Sequence, residues 1–304
     1  MMPIGSSVEL TDAPDALVRA RQRAVLMPDL LVDAQRIVST VIAGWHGRRR
    51  RGIGEDFWQF RPFVEGEQVS RIDWRRSARD DHVYLRDREW EAAHTVWLWA
   101  DPSPSMRYQS TQAPVSKESR ALVLVLALAE LLSRSGERIG YPGVIEPIAA
   151  RNAAERLAAA LMNDRPEHRF APDDRLRRFS EIVIVSDCLD PLDDILAFVD
   201  KVGRRGIRGH LVMIADPAEE TFPYAGRTEF RDPEGGGRLT AGRAETLRQE
   251  YTELYQARRE ILADHCRRLG WSFVPHRTDR LASEALVALH TRLSGMTQSA
   301  GHRS

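Results

Sequence analysis

Several features that would assign a protein to a class are scarce or missing in this chain. Only two of its 304 residues are cysteines, Cys188 and Cys266, and their spacing fits neither a disulfide framework nor a structural zinc site. The longest apolar stretch, 121–132, contains Glu130, whereas a membrane-spanning helix needs about 20 residues. The N-terminus lacks the basic and apolar regions of a secretory signal peptide. We therefore expect a cytoplasmic protein without membrane insertion.

An excess of charge of either sign is also absent. The 44 basic and 44 acidic residues argue against a protein that binds nucleic acid through a broad basic surface. The basic run Arg48 to Arg51 beside Trp45 could contact phosphates, but a solvated turn or a dock for acidic partner residues explains it better. No Gly-Lys-Ser/Thr sequence and no glycine-flanked nucleophilic serine occurs. These absences argue against nucleotide binding and against a Ser-His-Asp hydrolase.

Segments with strand and helix patterns alternate from His82 onward. Strands are predicted at 82–86, 95–100, 138–141, 144–149, 181–185, 208–215 and 271–275, and helices at 117–134, 153–162, 193–202, 247–269 and 281–293. Such alternation predicts an α/β fold with a doubly wound, mainly parallel sheet covered on both faces.

The predicted domain organisation has three parts. Residues 1–93 would form an N-terminal helix, at 28–44, followed by a module of short strands and turns. Residues 94–294 would form the α/β domain, with a hairpin insertion near 228–241 that is rich in glycine. Residues 295–304 are expected to be a disordered tail.

Two of the predicted buried strands end in polar residues. Asp101, Ser103 and Ser105 follow the strand at 95–100, and Asp187 follows the one at 181–185. The carboxyl ends of neighbouring parallel strands open onto one crevice, so we expect these side chains to lie together. Carboxylates and hydroxyls are ligands for a hard cation such as magnesium, although a loop held by its own hydrogen bonds explains the pattern equally well.

Charged and aromatic residues alternate in the segment upstream of the first of these strands. The residues singled out are Arg61, Arg71, Asp73, Trp74 and Arg79. One interpretation is a structural joint between the N-terminal module and the α/β domain, in which Trp74 is buried and Asp73 pairs with an arginine. The other is a partner-binding surface, because Trp and Arg are enriched in binding hot spots.

The combination of these motifs resembles a known family. Asp101, Ser103, Ser105 and Asp187 look like the metal-ion-dependent adhesion site of von Willebrand factor A domains. The likeness to the bacterial family called domain of unknown function 58 rests on an upstream signature and a downstream one: Gly52, Gly54, Phe57, Arg61, Phe63, Gly66, Glu67, Arg71 to Trp74, Ala78 and Arg79, then Asp216, Pro217, Glu220, Pro223, Gly226, Asp232 to Glu234 and Tyr251.

The resemblance implies a von Willebrand factor A-like fold and a role without catalysis. The protein would be an adaptor or chaperone-like partner of a MoxR-type AAA+ ATPase and would contact protein clients. Magnesium or manganese would be held weakly by Asp101, Ser103, Ser105 and Asp187. The threonine that such sites usually take from a loop is missing, because 143–163 contains neither Thr nor Ser and offers only the amide of Asn152. The alternative is a metal-dependent hydrolase that uses the same carboxylates.

Overall fold

The computed structural model of the protein describes residues 13–46, 59–63, 72, 74–79, 82–87, 94–163, 170–171, 174–234 and 237–300. The chain divides into two compact units. The larger one contains Met1–Ile42 and Thr95–Ser304, and the smaller one contains Ala43–His94.

The first helix, α1 (Ala13–His46), is longer than the helix predicted at 28–44. Its buried residues include Met27, Ala34 and Val38, which follow the three-to-four spacing of an amphipathic helix. The prediction grouped this helix with an N-terminal module of residues 1–93, and this grouping is wrong.

The helix up to Ile42 belongs to the same compact unit as the α/β sheet. Gln35 donates a hydrogen bond of 3.0 Å to Glu155 in that unit. Periodicity indicates that one face of a helix is buried but not against which element, which is why the sequence did not reveal this association.

The smaller unit contains short elements, as its mixture of glycines, aromatics and charges predicts. Strand β1 (Gln59–Pro62) pairs antiparallel with β2 (Tyr84–Asp87), and the short helix α2 (Trp74–Ser77) lies between them in the chain. Arg71, Asp73 and the basic run Arg48 to Arg51 lie outside the described residues.

A six-stranded sheet forms the centre of the larger unit. Its strands are β3 (Thr95–Ala100), β4 (Arg138–Tyr141), β5 (Ile145–Ile148), β6 (Glu181–Ser186), β7 (Arg208–Ala215) and β10 (Ser272–Arg277). They lie in the order β10-β7-β6-β3-β4-β5, and every neighbouring pair is parallel except β4 and β5. This confirms the predicted α/β class with a mainly parallel sheet. The order reverses between β3 and β6, where doubly wound sheets bind ligands.

Helices alternate with these strands along the chain. They are α3 (Lys117–Arg134), α4 (Ala153–Asn163), α5 (Leu192–Arg204), α6 (Pro217–Thr221), α7 (Arg248–Arg268) and α8 (Ala282–Ala300). Helix α3 is almost wholly buried because it packs on the sheet while also contacting α4 and α8. No helix among the described residues is long and apolar enough to cross a membrane.

Two features at the periphery bear on the predicted domain map. A hairpin of β8 (Thr228–Arg231) and β9 (Arg238–Ala241) lies where the sequence predicts an insertion. Helix α8 continues to Ala300, so the predicted disordered tail of residues 295–304 is wrong for 295–300, and 301–304 lie outside the described residues. Met296, Gln298 and Ala300 are good helix formers and continue the helix from 282, although Gly295, Thr297 and Ser299 are weak ones.

Candidate functional site

The candidate site lies where β3 and β6 end side by side. These strands are parallel neighbours, and the Asp101 amide donates to the Val185 carbonyl at 2.9 Å, which continues the pairing past the end of β3. The loop after β3 carries Asp101, Ser103 and Ser105, and the loop after β6 carries Asp187. The sheet therefore brings together the two chain segments that the sequence predicts to meet.

Asp101 holds both loops through its two carboxylate oxygens. Its Oδ1 accepts a hydrogen bond from the Ser103 backbone at 2.8 Å, and its Oδ2 accepts one from the Ser186 hydroxyl at 2.6 Å. The Ser103 and Ser105 hydroxyls are hydrogen-bonded to each other at 3.0 Å. All four predicted site residues are buried. Burial raises the pKa of Asp101 to about 6, although the Ser186 hydrogen bond opposes this rise.

Lys117, the first residue of α3, is a site residue that the sequence reasoning missed. Its Nζ lies 2.8 Å from Asp187 Oδ2 and also forms a close ion pair with Glu219. The Lys117 side chain is 0% exposed. Burial disfavours its charge, but the negative charges of Asp187 and Glu219 outweigh this effect, so the pKa of Lys117 is raised. The signal was that Lys117 and Lys201 are the only lysines in a chain otherwise rich in arginine.

A third strand end adds further carboxylates to this corner of the sheet, which is formed by the loops after β3, β6 and β7. Asp216 follows β7 and caps α6, with Oδ1 accepting from the Ala218 amide at 2.9 Å and Oδ2 from the Ser110 amide at 2.8 Å. Glu219 completes the capping box, because its Oε2 accepts from the Asp216 amide at 2.8 Å. The loops after β3, β6 and β7 are therefore joined by one hydrogen-bonded network.

The loop after Asp187 is held by an arginine from α7. Arg258 donates from Nη1 to the Cys188 and Asp190 carbonyls, both at 2.8 Å. Cys188 has a left-handed backbone with φ of 55°, a strained conformation for a residue other than glycine. Burial raises the pKa of its thiol, so Cys188 is a buried side chain rather than a reactive nucleophile.

The residues at this corner do not suit a divalent cation as they are arranged. Both oxygens of Asp101 and of Asp187 already accept hydrogen bonds, and one of the Asp187 oxygens is paired with an ammonium group. Asn152, which the sequence offers in place of the loop threonine, is exposed at the start of α4. Within the described ranges no group of three or more His, Cys, Asp or Glu could hold a metal ion.

The upstream motif is only partly described. Arg61 lies in β1, Trp74 begins α2 and Arg79 follows that helix. Trp74 is 63% exposed, and both interpretations of this motif, the structural joint and the partner-binding surface, stay predictions. Local sequence does not reveal whether an aromatic ring in a short helix faces a core or the solvent.

Proteins with a similar sequence occur in mycobacteria. The uncharacterized protein Rv1480 of Mycobacterium tuberculosis (strain ATCC 25618 / H37Rv) is 26% identical over 267 residues, covering 79% of this chain and 80% of that protein. The uncharacterized protein Mb1516 of Mycobacterium bovis gives the same values.

Two solved structures resemble the chain at low similarity. BatB, a conserved hypothetical protein from Bacteroides thetaiotaomicron, has 15% identity and a TM-score of 0.41 over 68% of this chain and 100% of that one. An aerotolerance-related membrane protein from Bacteroides fragilis has 14% identity and a TM-score of 0.40 over 67% of this chain and 100% of that one.

The family model described as "Protein of unknown function DUF58" matches residues 59–261, which is more than half of the chain. The matched range starts with β1, includes the six-stranded sheet up to β7 and ends within α7. The chain therefore belongs to the DUF58 family.

Proposed function

We propose that the protein is a protein-interaction adaptor without catalytic activity that supports a MoxR-type AAA+ ATPase and its protein clients. It would dock partners at the carboxyl edge of the main sheet, around the loops that carry Asp101, Ser103, Ser105 and Asp187. The DUF58 membership of the chain and the resemblance of these four residues to an adhesion site are consistent with this role. The cytoplasmic location remains a prediction.

The observation that carries this proposal is the small volume of the cavities at this corner. Among the described residues, two cavities that touch Asp101 have volumes of about 20 and 10 Å³, enough for a water molecule at most. Pockets for small-molecule ligands usually measure about 300–1,000 Å³. A corner without room for a substrate favours recognition on its outer surface over chemistry inside it.

The outer surface of this edge has properties that suit a docking site. Leu189, two residues after Asp187, is 41% exposed. Its loop is held in place because Arg258 donates to the carbonyls on both sides of Leu189. A preordered loop loses little conformational freedom on binding, so an exposed leucine on it can contribute efficiently to affinity.

The metal-dependent hydrolase is less consistent with the corner. A hydrolase needs a nucleophile or an activated water beside a general base, with space for the reacting group. The Ser103 and Ser105 hydroxyls are engaged with each other, and the Cys188 thiol is buried. We therefore propose that the isolated protein does not hydrolyse ester or phosphoester substrates.

The test compares two exposed leucines in a binding assay with a MoxR-type ATPase from the same organism. Leu189→Ser removes the side chain at the proposed edge, whereas Leu239→Ser changes the 60% exposed leucine of the β8–β9 hairpin and is the matched control. We expect Leu189→Ser to weaken co-purification and any change in ATPase rate about tenfold, as for an interface contact worth more than 1 kcal/mol. Leu239→Ser should behave as the unmodified protein.

Equal binding by both leucine variants would contradict the proposed docking edge. Ester or phosphoester turnover by the purified protein, lost in both Asp101→Asn and Asp187→Asn, would contradict the adaptor function and favour the hydrolase.

A further inference from the structure

The position of Lys117 is unusual for its own helix. Lys117 is the first residue of α3, where the partial positive charge of the helix N-terminus disfavours a cation. Its side chain is also fully buried, which costs several kcal/mol for an unpaired charge. Neither helix formation nor packing explains a lysine here, so its placement has to be explained by the groups that its ammonium contacts.

Those groups are carboxylates from two strand ends. Asp187 follows β6 and Glu219 lies in α6 just after β7, and both accept from Lys117 Nζ. The second oxygen of each carboxylate is also used, because Asp187 Oδ1 accepts from the Leu189 amide at 3.1 Å and Glu219 Oε2 from the Asp216 amide. The ammonium therefore supplies the positive charge that these two buried carboxylates require.

A divalent ion would have to disrupt this arrangement. Magnesium requires nearly octahedral oxygen ligands at about 2.0–2.1 Å and releases its waters reluctantly. At Asp187 it would compete with an ammonium group already in hydrogen-bond contact, and two like charges at that distance repel each other strongly in a buried site. The neighbouring cavity of about 20 Å³ has no room for a hydrated ion.

We propose that Lys117 is the permanent counter-ion of the corner that contains the Asp-x-Ser-x-Ser loop and Asp187. With this ammonium in place, the corner needs no divalent metal ion to balance its buried carboxylates. The corner resembles a metal-ion-dependent adhesion site in its Asp and Ser residues, but an internal ammonium neutralises Asp187. Partner docking at this edge would then need no bridging cation and would be insensitive to chelators. The proposal concerns the chain itself and holds whether or not a partner is a MoxR-type ATPase.

The first experiment uses the unmodified full chain. Magnesium and manganese are titrated separately by calorimetry, and thermal unfolding is followed with each ion and with EDTA. We expect no binding heat and no shift of the melting temperature. Stoichiometric binding of either ion that is lost in Asp101→Asn would overturn the proposal, and this measurement needs no variant at Lys117.

The second experiment removes the ammonium. Lys117→Ala leaves two buried carboxylates without a counter-ion, and we expect the melting temperature to fall by roughly 10 °C, in line with the loss of one partner of a buried ion pair. Manganese should restore part of this loss, because the space and charge left behind suit a cation. Lys201→Ala, which changes the exposed lysine of α5, is the control and should melt as the unmodified protein.

A Lys117→Ala protein that melts at the unmodified temperature and does not respond to manganese would overturn the proposal. Failure of that variant to fold would support it, provided that Lys201→Ala folds and the unmodified chain binds no ion.

Discussion

At the scale of single residues, several buried polar groups lie near the end of β10. His276 is 6% exposed, and its Nε2 atom has no hydrogen-bond partner among the described residues. Burial, followed by the positive charge of Arg120, lowers the pKa of His276 to about 4, and the negative charge of Asp279 opposes this change only in part. The imidazole is therefore neutral in the folded protein at physiological pH.

This low pKa predicts a loss of stability in mild acid. Above pH 6.5 the histidine is neutral in both the folded and the unfolded chain and contributes no pH dependence. As the pH falls from 6.5 towards 4, the unfolded chain gains a proton that the folded chain does not, so stability decreases by up to about 3 kcal/mol. The measurement is the difference in unfolding free energy between the unmodified protein and His276→Asn across this pH range. A difference that does not change with pH would contradict the prediction.

Trp74 provides a second prediction at this scale. A ring that is 63% exposed contributes little to folding, so Trp74→Ala should change the unfolding free energy by less than about 1 kcal/mol. If the ring belongs to a docking surface, the same variant should lose partner binding, because exposed tryptophans are frequent hot spots. Thermal unfolding and co-purification with the ATPase separate the two effects. A large fall in melting temperature would contradict this prediction and support the structural-joint interpretation.

At the scale of elements, β10 packs closely against its neighbour β7 through the ring of Trp271. Trp271, just before β10, donates from its indole nitrogen to the Ile207 carbonyl at 3.2 Å, and its ring lies over Gly209 in β7. A Cβ atom at Gly209 would be 2.1 Å from the nearest ring atom, so only glycine permits this packing. The β8–β9 hairpin is attached differently, through the ring of Phe230, which contacts Phe222 and Tyr224.

The Gly209 contact predicts a specific destabilisation. Gly209→Ala forces the indole ring or the β7 backbone to move, and we expect a loss of about 1–3 kcal/mol, as for overpacked cores. Gly242→Ala is the matched control, because a Cβ atom at that position would meet nothing within 4 Å. Thermal unfolding of both variants is the measurement. Equal melting temperatures would mean that the ring is not constrained as described.

At the scale of the whole molecule, the chain builds one compact unit from two separated segments. Residues Met1–Ile42 and Thr95–Ser304 form the larger unit, and Ala43–His94 form the smaller unit between them in sequence. The α/β unit therefore includes a helix that precedes the smaller unit in the chain. Contacts between distant segments cost more chain entropy than local ones, so the buried face of α1 must contribute enough apolar burial to offset this cost.

The role of α1 can be tested with two valines on the same helix. Val38 is fully buried, so Val38→Asp should destabilise the α/β unit by roughly 3 kcal/mol or more, because it places a charge among apolar side chains. Val32 is 52% exposed, and Val32→Asp should have little effect. Chemical denaturation monitored by the tryptophans of β3 is the measurement. A denaturation midpoint unaffected by Val38→Asp would mean that α1 is dispensable for this unit.

Much of the α/β architecture follows from local sequence. The strands at 95–100, 138–141 and 208–215 and the helix at 117–134 have the predicted bounds, because runs of buried apolar residues and helical periodicity are properties of neighbouring residues. The order of strands and helices then restricts the sheet to few topologies. This was enough to predict that the loops with Asp101 and Asp187 lie together.

Only the tertiary structure determined which groups complete the site and which faces are buried. Lys117 is separated by 70 residues from Asp187 and by 102 residues from Glu219, so no local pattern connects them. The burial of α1 against the α/β unit is likewise an outcome of packing between distant segments. Sequence periodicity predicts which residues are buried among apolar side chains and which charged residues lie in loops. Which side chains contact each of these residues depends on how the strands and helices assemble in three dimensions.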